Sequence, residues 1–161
     1  MEIGGITDEL TGLYSRGYFV HRLAEEVERV RRYGGALTVA VMELDHYRQM
    51  VERDGARKAD SALQGAARAL ARRTRISDIR ARWEEGSFIM ACAGTNLAQA
   101  CWLAEALRDL MAELPSSTSL PANCSFGVVE MDESDTAESL IRRVGEVLEE
   151  ARSTGGNTVA C

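Results

Sequence analysis

The sequence predicts a single domain of mixed α/β class, and three observations lead to that prediction. The chain has 161 residues, enough for one domain with a buried core. Short β-branched apolar runs alternate with longer segments in which apolar residues recur every three or four positions. Apolar residues make up 45% of the chain, and Gly and Pro together only 16 residues. A disordered, collagen-like or low-complexity protein is therefore excluded.

The first half of the chain predicts three helices and one strand. Apolar residues at helical spacing predict an amphipathic helix over residues 15–33, which Gly34 and Gly35 end. The continuous apolar run at residues 36–42 predicts a buried strand. A short helix over residues 46–53 and an Ala- and Leu-rich helix over residues 57–73 are expected to follow.

The second half predicts a hairpin followed by further alternating elements. Strands at residues 78–83 and 88–93 flank a four-residue turn. Asn96 is a good N-cap for a helix that runs through Glu113. The remaining elements are a strand, a helix capped by Thr136 and a last strand, at residues 124–131, 136–152 and 158–160.

Composition also restricts the class of function. A net charge of −6 argues against binding to nucleic-acid polymers. No apolar run approaches the ~20 residues of a membrane-spanning helix, and the first residues lack the pattern of a signal peptide. We therefore expect a cytoplasmic domain without direct membrane insertion. The four cysteines, at positions 92, 101, 124 and 161, lack metal-site spacing, which predicts reduced thiols and no metal site.

Four segments, in order along nearly the whole chain, resemble those of GGDEF (diguanylate cyclase) domains. Residues 8–16 (DELTGLYSR) resemble the family's DxLTGLxNR opening, and residues 43–48 (ELDHYR) its D-[IL]-D-x-F-K segment. Residues 125–128 (SFGV) and 151–159 (ARSTGGNTV) resemble its S-I-G-V strand and its A-K-x-x-G-R-N-x-V ending. The resemblance implies the palm of nucleotidyl cyclases, a central and mainly antiparallel sheet surrounded by helices. It places the domain at residues 8–161, after a linker stub at 1–7.

The family's signature hairpin is altered at all four positions. Active members condense two GTP molecules into cyclic di-GMP, which requires metal-binding carboxylates and a hairpin, Gly-Gly-[Asp/Glu]-Glu, that lies against phosphates. Aligning the flanking residues places Glu84, Glu85, Gly86 and Ser87 over that motif. Glu84 and Glu85 replace the glycines and add negative charge where a polyanion would bind. Gly86 and Ser87 replace the two acids.

Other positions of the catalytic site differ as well. Glu43 stands at the first metal-ligand Asp, Val51 at the Asn that reads guanine, and Arg152 at a phosphate-facing Lys. Asp60 matches the second guanine-contacting residue. Taken together, these changes predict a domain with no diguanylate cyclase activity, no catalytic residues and no metal cofactor.

The family's inhibitory product site is retained. Arg75-Ile-Ser-Asp78 lies at the family's spacing, with five residues between Asp78 and the altered hairpin segment. An Arg fork suits the O6 and N7 acceptors of guanine, and a carboxylate suits its N1 and N2 donors. The resemblance therefore assigns cyclic di-GMP as the ligand of Arg75 and Asp78. Support is expected from Arg72, Arg82 and Arg108.

Chance and surface charge are the alternatives to this assignment. With 18 Arg and 8 Asp, the chain is expected to contain about one RxxD by chance, and residues 57–60 form a second match. An arginine-rich helix end is also a common solvated surface. Position in register with the family site favours Arg75 and Asp78.

The leading hypothesis is an inactive GGDEF domain that acts as a cyclic di-GMP receptor. It would relay ligand level through a homodimer or a neighbouring regulatory domain, as the cytosolic part of a longer, membrane-attached or free bacterial signalling protein. Two alternatives stay open: a ligand-free dimerisation scaffold, and a weak cyclase that uses Glu43, Asp45 and Glu85.

Overall fold

The computed structural model describes residues 5–115, 118 and 123–161. Helices and strands alternate along that part of the chain, as the sequence predicts. The helices are α1 Arg16–Tyr33, α2 Tyr47–Asp54, α3 Ala56–Arg73, α4 Leu97–Glu113 and α5 Ala137–Ser153. The strands are β1 Leu37–Leu44, β2 Ile79–Arg82, β3 Ser87–Ala93, β4 Cys124–Glu130 and β5 Val159–Ala160.

The strands form one sheet in the order β2-β3-β1-β4-β5. All neighbours are antiparallel except β4 and β5, which are parallel. The predicted α/β class with a mainly antiparallel sheet is confirmed. β1 runs two residues beyond its predicted end, because Glu43 pairs with Ser87 on one side and Ser125 on the other. The polar side chain therefore does not end the strand.

Both faces of the sheet are covered by helices, which explains why β1 is apolar at almost every position. Successive side chains of a strand point to opposite faces. Met42 and Leu44 pack with α2, α3 and α4, whereas Val39 and Val41 pack with α1 and α5.

Gly127 of β4 sets the distance between the sheet and α5. A Cβ atom at this position would lie 2.5 Å from the backbone nitrogen of Leu148 and 2.8 Å from the carbonyl oxygen of Val144. Any side chain there would therefore meet helix backbone, which cannot move independently of the helix. The glycine of the SFGV segment thus serves close helix–sheet packing.

Local signals place several element ends as expected. Asn96 and Thr136 both cap their helices, in capping boxes with Gln99 and Ser139. Residues 5–7, the described part of the predicted stub, lie against the domain, since the Ser15 hydroxyl donates to the Gly5 carbonyl. Within the described ranges, no helix has the length and apolar character needed to cross a membrane.

The prediction of reduced thiols is wrong for two of the four cysteines. Cys101 of α4 and Cys161, which directly follows β5, form a disulfide. The sequence carried no signal for this pair, because only the sheet order brings β5 beside α4. Cys92 and Cys124 are free and buried. Burial raises the pKa of Cys92 to about 12 and raises that of Cys124 further.

Candidate functional site

Residues 84–87, which align with the signature hairpin, form a tight turn between β2 and β3. The Ser87 amide donates to the Glu84 carbonyl at 3.1 Å, and the Glu84 amide donates to the Ser87 hydroxyl at 2.9 Å. Gly86 has φ of +79°, and a Cβ atom there would lie 2.6 Å from Cγ of Tyr47. The space that a side chain at position 86 would need is thus occupied by the Tyr47 ring. Glu84 and Glu85 are exposed at the turn.

Glu43 is paired with Arg152 at the start of the candidate catalytic cleft. The Nε atom of Arg152 donates to Oε1 of Glu43 at 2.8 Å, and Nη2 donates to Oε2. Its Nη1 atom donates to Glu149 at 2.7 Å. The hydrogen bonds to Glu43, and then to Glu149, raise the pKa of Arg152 above its usual value. Both carboxylate oxygens of Glu43 therefore face a cation that belongs to the protein.

Asp45, which directly follows β1, bonds to β4 and to the segment between α5 and β5. Its Oδ1 atom accepts from the Ser125 hydroxyl at 2.6 Å, and its Oδ2 atom accepts from the Asn157 amide at 2.7 Å. Among the residues that the structure describes, no group of three or more His, Cys, Asp or Glu side chains could hold a metal ion. Both carboxylates accept from donors of the protein, Glu43 from Arg152 and Asp45 from Ser125 and Asn157.

The cleft between these groups has a volume of about 540 Å³ and excess negative charge. Four carboxylates and two guanidinium groups line it, a balance of −2: Glu43, Glu52, Glu84, Glu85, Arg48 and Arg152. A bound nucleoside triphosphate would therefore meet repulsion from the walls.

Val51 and Asp60, which align with the family's guanine-contacting residues, have different surroundings. The side chain of Val51 in α2 packs against the hydrophobic core and has no group that can form a hydrogen bond. Asp60 of α3 is half-buried, and its negative charge is close enough to Tyr47 to influence the pKa of that tyrosine. The pKa of Tyr47 is raised first by burial and then by the charge of Asp60.

Arg75 and Asp78 form a closed turn between α3 and β2. The Asp78 amide donates to the Arg75 carbonyl at 3.0 Å, and the Arg75 amide donates to Oδ2 of Asp78 at 2.8 Å. The Asp78 side chain is only 3% exposed. The Asp78 carboxylate therefore stabilises the turn itself, and little of it is exposed for contact with a ligand.

The guanidinium of Arg75 lies at the mouth of a cleft of about 280 Å³. Its Nη2 atom contacts Oδ1 of Asp78 at 3.4 Å, the Ala93 carbonyl at 3.0 Å and the Thr95 hydroxyl at 2.6 Å. The side chain is nevertheless 57% exposed. The cleft is lined by Arg73, Arg75, Asp78, Cys92, Gly94, Thr95, Gln99 and Leu103.

None of the three arginines predicted to support this site is among the residues that line the cleft. Arg72 lines a separate groove between α3 and α4. Arg82 lies 3.6 Å from Asp8, and Arg108 pairs with Glu105 at 2.9 Å. Arg73 and Gln99 line the cleft in their place. The sequence showed Arg73 within the arginine-rich helix end, but Gln99 carried no signal beyond its place in a capping box.

Known proteins share this fold and sequence pattern. The family model described as "Diguanylate cyclase, GGDEF domain" matches residues 5–158. Diguanylate cyclase DgcP of Pseudomonas aeruginosa is 31% identical over 153 residues, which cover 93% of this chain and 23% of DgcP. The response regulator PleD of Caulobacter vibrioides is 29% identical over 160 residues, 96% of this chain and 35% of PleD. The chain thus spans about a quarter to a third of these curated relatives.

Solved structures agree with the architecture. The GGDEF domain of DgcB from Caulobacter crescentus, solved in complex with c-di-GMP, superposes with a TM-score of 0.91 at 20% identity. The match covers 96% of this chain and 92% of that domain. With the family match over residues 5–158, these findings show that the chain belongs to the GGDEF domain family.

Proposed function

We propose that this domain is a catalytically inactive GGDEF domain that binds cyclic di-GMP through the turn of Arg75 and Asp78. The observation that carries the proposal is the contrast between the two sites. On the substrate side, Glu43 is closed off by Arg152. On the other side, a half-exposed guanidinium stands at an open cleft.

Electrostatics support the loss of cyclase activity. At an effective dielectric of about 20, a carboxylate ~4 Å from a phosphate oxygen costs about 4 kcal/mol. Glu84 and Glu85 place two such groups at the turn where the family has glycines. A metal ion that could offset this repulsion would have to displace Arg152 from Glu43.

The chemistry of the Arg75 turn suits a guanine dinucleotide. Among the described residues, the Nε and Nη1 atoms of Arg75 have no protein partner, so donors remain for a base or a phosphate. Arg73 adds a second guanidinium to the cleft lining, where Asp78 is the one carboxylate. This local excess of positive charge favours a ligand with two phosphates.

Isothermal titration calorimetry of cyclic di-GMP tests the receptor assignment. We expect micromolar or tighter binding by the wild type and a weakening of about tenfold or more in Arg75→Ala and Asp78→Ala. Arg57→Ala is the matched control, because Arg57 begins the other RxxD of the chain and is exposed on α3. It should bind like the wild type. Equal binding by Arg75→Ala, or no binding by the wild type, would refute the assignment.

Incubation with GTP and Mg²⁺ or Mn²⁺ tests the loss of catalysis. We expect no cyclic di-GMP under conditions in which an active GGDEF domain produces it. Product formation by the wild-type chain would contradict the proposal. Within a longer protein, the domain would then relay ligand occupancy to an attached domain or to a second copy, since a signal requires different ligand affinities in two states.

A further inference from the structure

We propose that Arg80 is a positioning residue for the cyclic di-GMP site. Arg80 lies on β2, directly after the turn of Arg75 and Asp78, and it holds the backbone carbonyl of Arg75 in place. The inference rests on the proposed function, because the ligand is the one named there. It adds a residue that acts through the turn and makes no ligand contact itself.

The contacts of Arg80 reach both residues at the start of the turn. Its Nη1 atom donates to the Arg75 carbonyl at 2.8 Å and to the Thr74 hydroxyl at 2.9 Å. The Thr74 hydroxyl in turn donates to the Leu70 carbonyl in the last turn of α3, at 2.7 Å. One guanidinium therefore links the sheet, the turn and the end of the helix.

The Arg75 carbonyl is held from two directions. The Asp78 amide donates to it at 3.0 Å from within the turn, and Arg80 donates to it from the sheet. The bond from Asp78 closes the turn on itself but does not orient it relative to the sheet. The bonds from Arg80 contribute to that orientation, together with the bonds from the Arg75 guanidinium to Ala93 at the end of β3 and to Thr95. Loss of Arg80 would remove one of the two donors to the Arg75 carbonyl, so the turn should open more often and shift relative to β2.

The guanidinium of Arg80 is partly withdrawn from solvent. Its Nε atom is buried without a hydrogen-bond partner. Within residues 5–115, 118 and 123–161, no carboxylate lies within ion-pair distance of it. A partly desolvated guanidinium bonded only to a hydroxyl and a carbonyl is poorly compensated.

Two substitutions separate charge from geometry. Arg80→Met removes both hydrogen bonds and the charge. Arg80→Lys keeps the charge, but its shorter side chain ends closer to the backbone than Nη1, the atom that makes both bonds. We expect cyclic di-GMP to bind about tenfold more weakly to Arg80→Met and about threefold or more weakly to Arg80→Lys. Arg57→Met, which removes an exposed arginine on α3, should bind like the wild type.

Residue-resolved hydrogen exchange supplies a second readout that needs no ligand. The Arg75 amide is bonded to Asp78 inside the turn. It should exchange faster in both Arg80 variants, while amides of β1 and β3 keep wild-type protection and the melting temperature of Arg80→Lys stays unchanged.

The outcomes are distinguishable. If the wild type does not bind cyclic di-GMP, the proposed function fails, and this inference about its site fails with it. If the wild type binds, and Arg80→Lys binds equally well with an unchanged Arg75 amide, the proposed function stands and the role of Arg80 is overturned. Weaker binding to Arg80→Lys with normal exchange at Arg75 would also overturn it, because the effect would then not act through the turn.

Discussion

Reduction of the Cys101–Cys161 disulfide should lower the thermal stability of the domain. The two cysteines are separated by 60 residues. In the chain-entropy model, closing a loop of that length stabilises the folded state by about 4 kcal/mol at 25 °C. In a domain of this size, 1 kcal/mol shifts the melting temperature by about 2–4 °C. We therefore expect a decrease of about 10 °C.

Circular dichroism melts with and without dithiothreitol measure this shift. Thiol titration of the denatured, non-reduced protein should find two free thiols, Cys92 and Cys124, and four after reduction. The control is Cys101→Ser, which should melt at the same temperature with and without reductant. Four titratable thiols in the non-reduced protein, or a wild-type melting temperature that does not change with dithiothreitol, would refute the reasoning.

Three further predictions concern residues in contact with the core and the candidate cleft. Gly127→Ala should destabilise the domain by about 3 kcal/mol in urea unfolding, because its Cβ atom would meet the α5 backbone. Gly145 is on the exposed side of α5, and a Cβ atom there would have no other atom within 4 Å. Gly145→Ala should therefore be neutral or stabilise the domain by about 0.5–1 kcal/mol. Equal destabilisation by Gly127→Ala and Gly145→Ala would contradict the packing argument. Gly86→Ala should lower the free energy of unfolding by about 2 kcal/mol or more, because φ is positive at this position and the new Cβ atom would clash with the Tyr47 ring. A wild-type melting temperature for this variant would contradict the prediction, since it would mean that the ring can move away. The raised pKa of Cys92, about 12, should keep this thiol unreactive toward iodoacetamide at pH 8 in the native state, and rapid labelling of the native protein would contradict this assignment. Because the unfolded thiol ionises at lower pH, the free energy of unfolding should also fall as the pH rises from about 9 toward 12.

The sequence predicted the elements well where one local signal determined them. Asn96 and Thr136 cap their helices because capping depends on residues three positions apart. The end of β1 was placed two residues early, because polar Glu43 resembles a strand end when its partners on β3 and β4 are unknown. Strand order was not accessible from periodicity and came only with the family resemblance.

The candidate sites were predictable in part. Alignment identified Arg75 and Asp78, and the structure brings them together in one turn. The positions of Arg82 and Arg108 could not be predicted, because their directions depend on the pairing of β2 and the packing of α4. The disulfide and the contact of Gly86 with Tyr47 are likewise long-range consequences of the fold.

The buried state of Asp78 changes how its substitution is understood. From the sequence, this carboxylate was assigned a direct contact with guanine. In the structure its Oδ2 atom accepts from the Arg75 amide, and its side chain is almost fully buried. The expected loss of binding in Asp78→Ala then arises from an opened turn at least as much as from a lost ligand contact.

The measurement that tests the central claim most directly is a parallel titration of the wild-type protein with cyclic di-GMP and with GTP plus Mg²⁺. We predict saturable binding of cyclic di-GMP that is about tenfold or more weaker in Arg75→Ala, and neither binding nor turnover of GTP. Turnover of GTP would show that the cleft around Glu43 and Arg152 is catalytic. Absence of cyclic di-GMP binding would show that the Arg75 turn is a solvated surface, and either result would contradict the account.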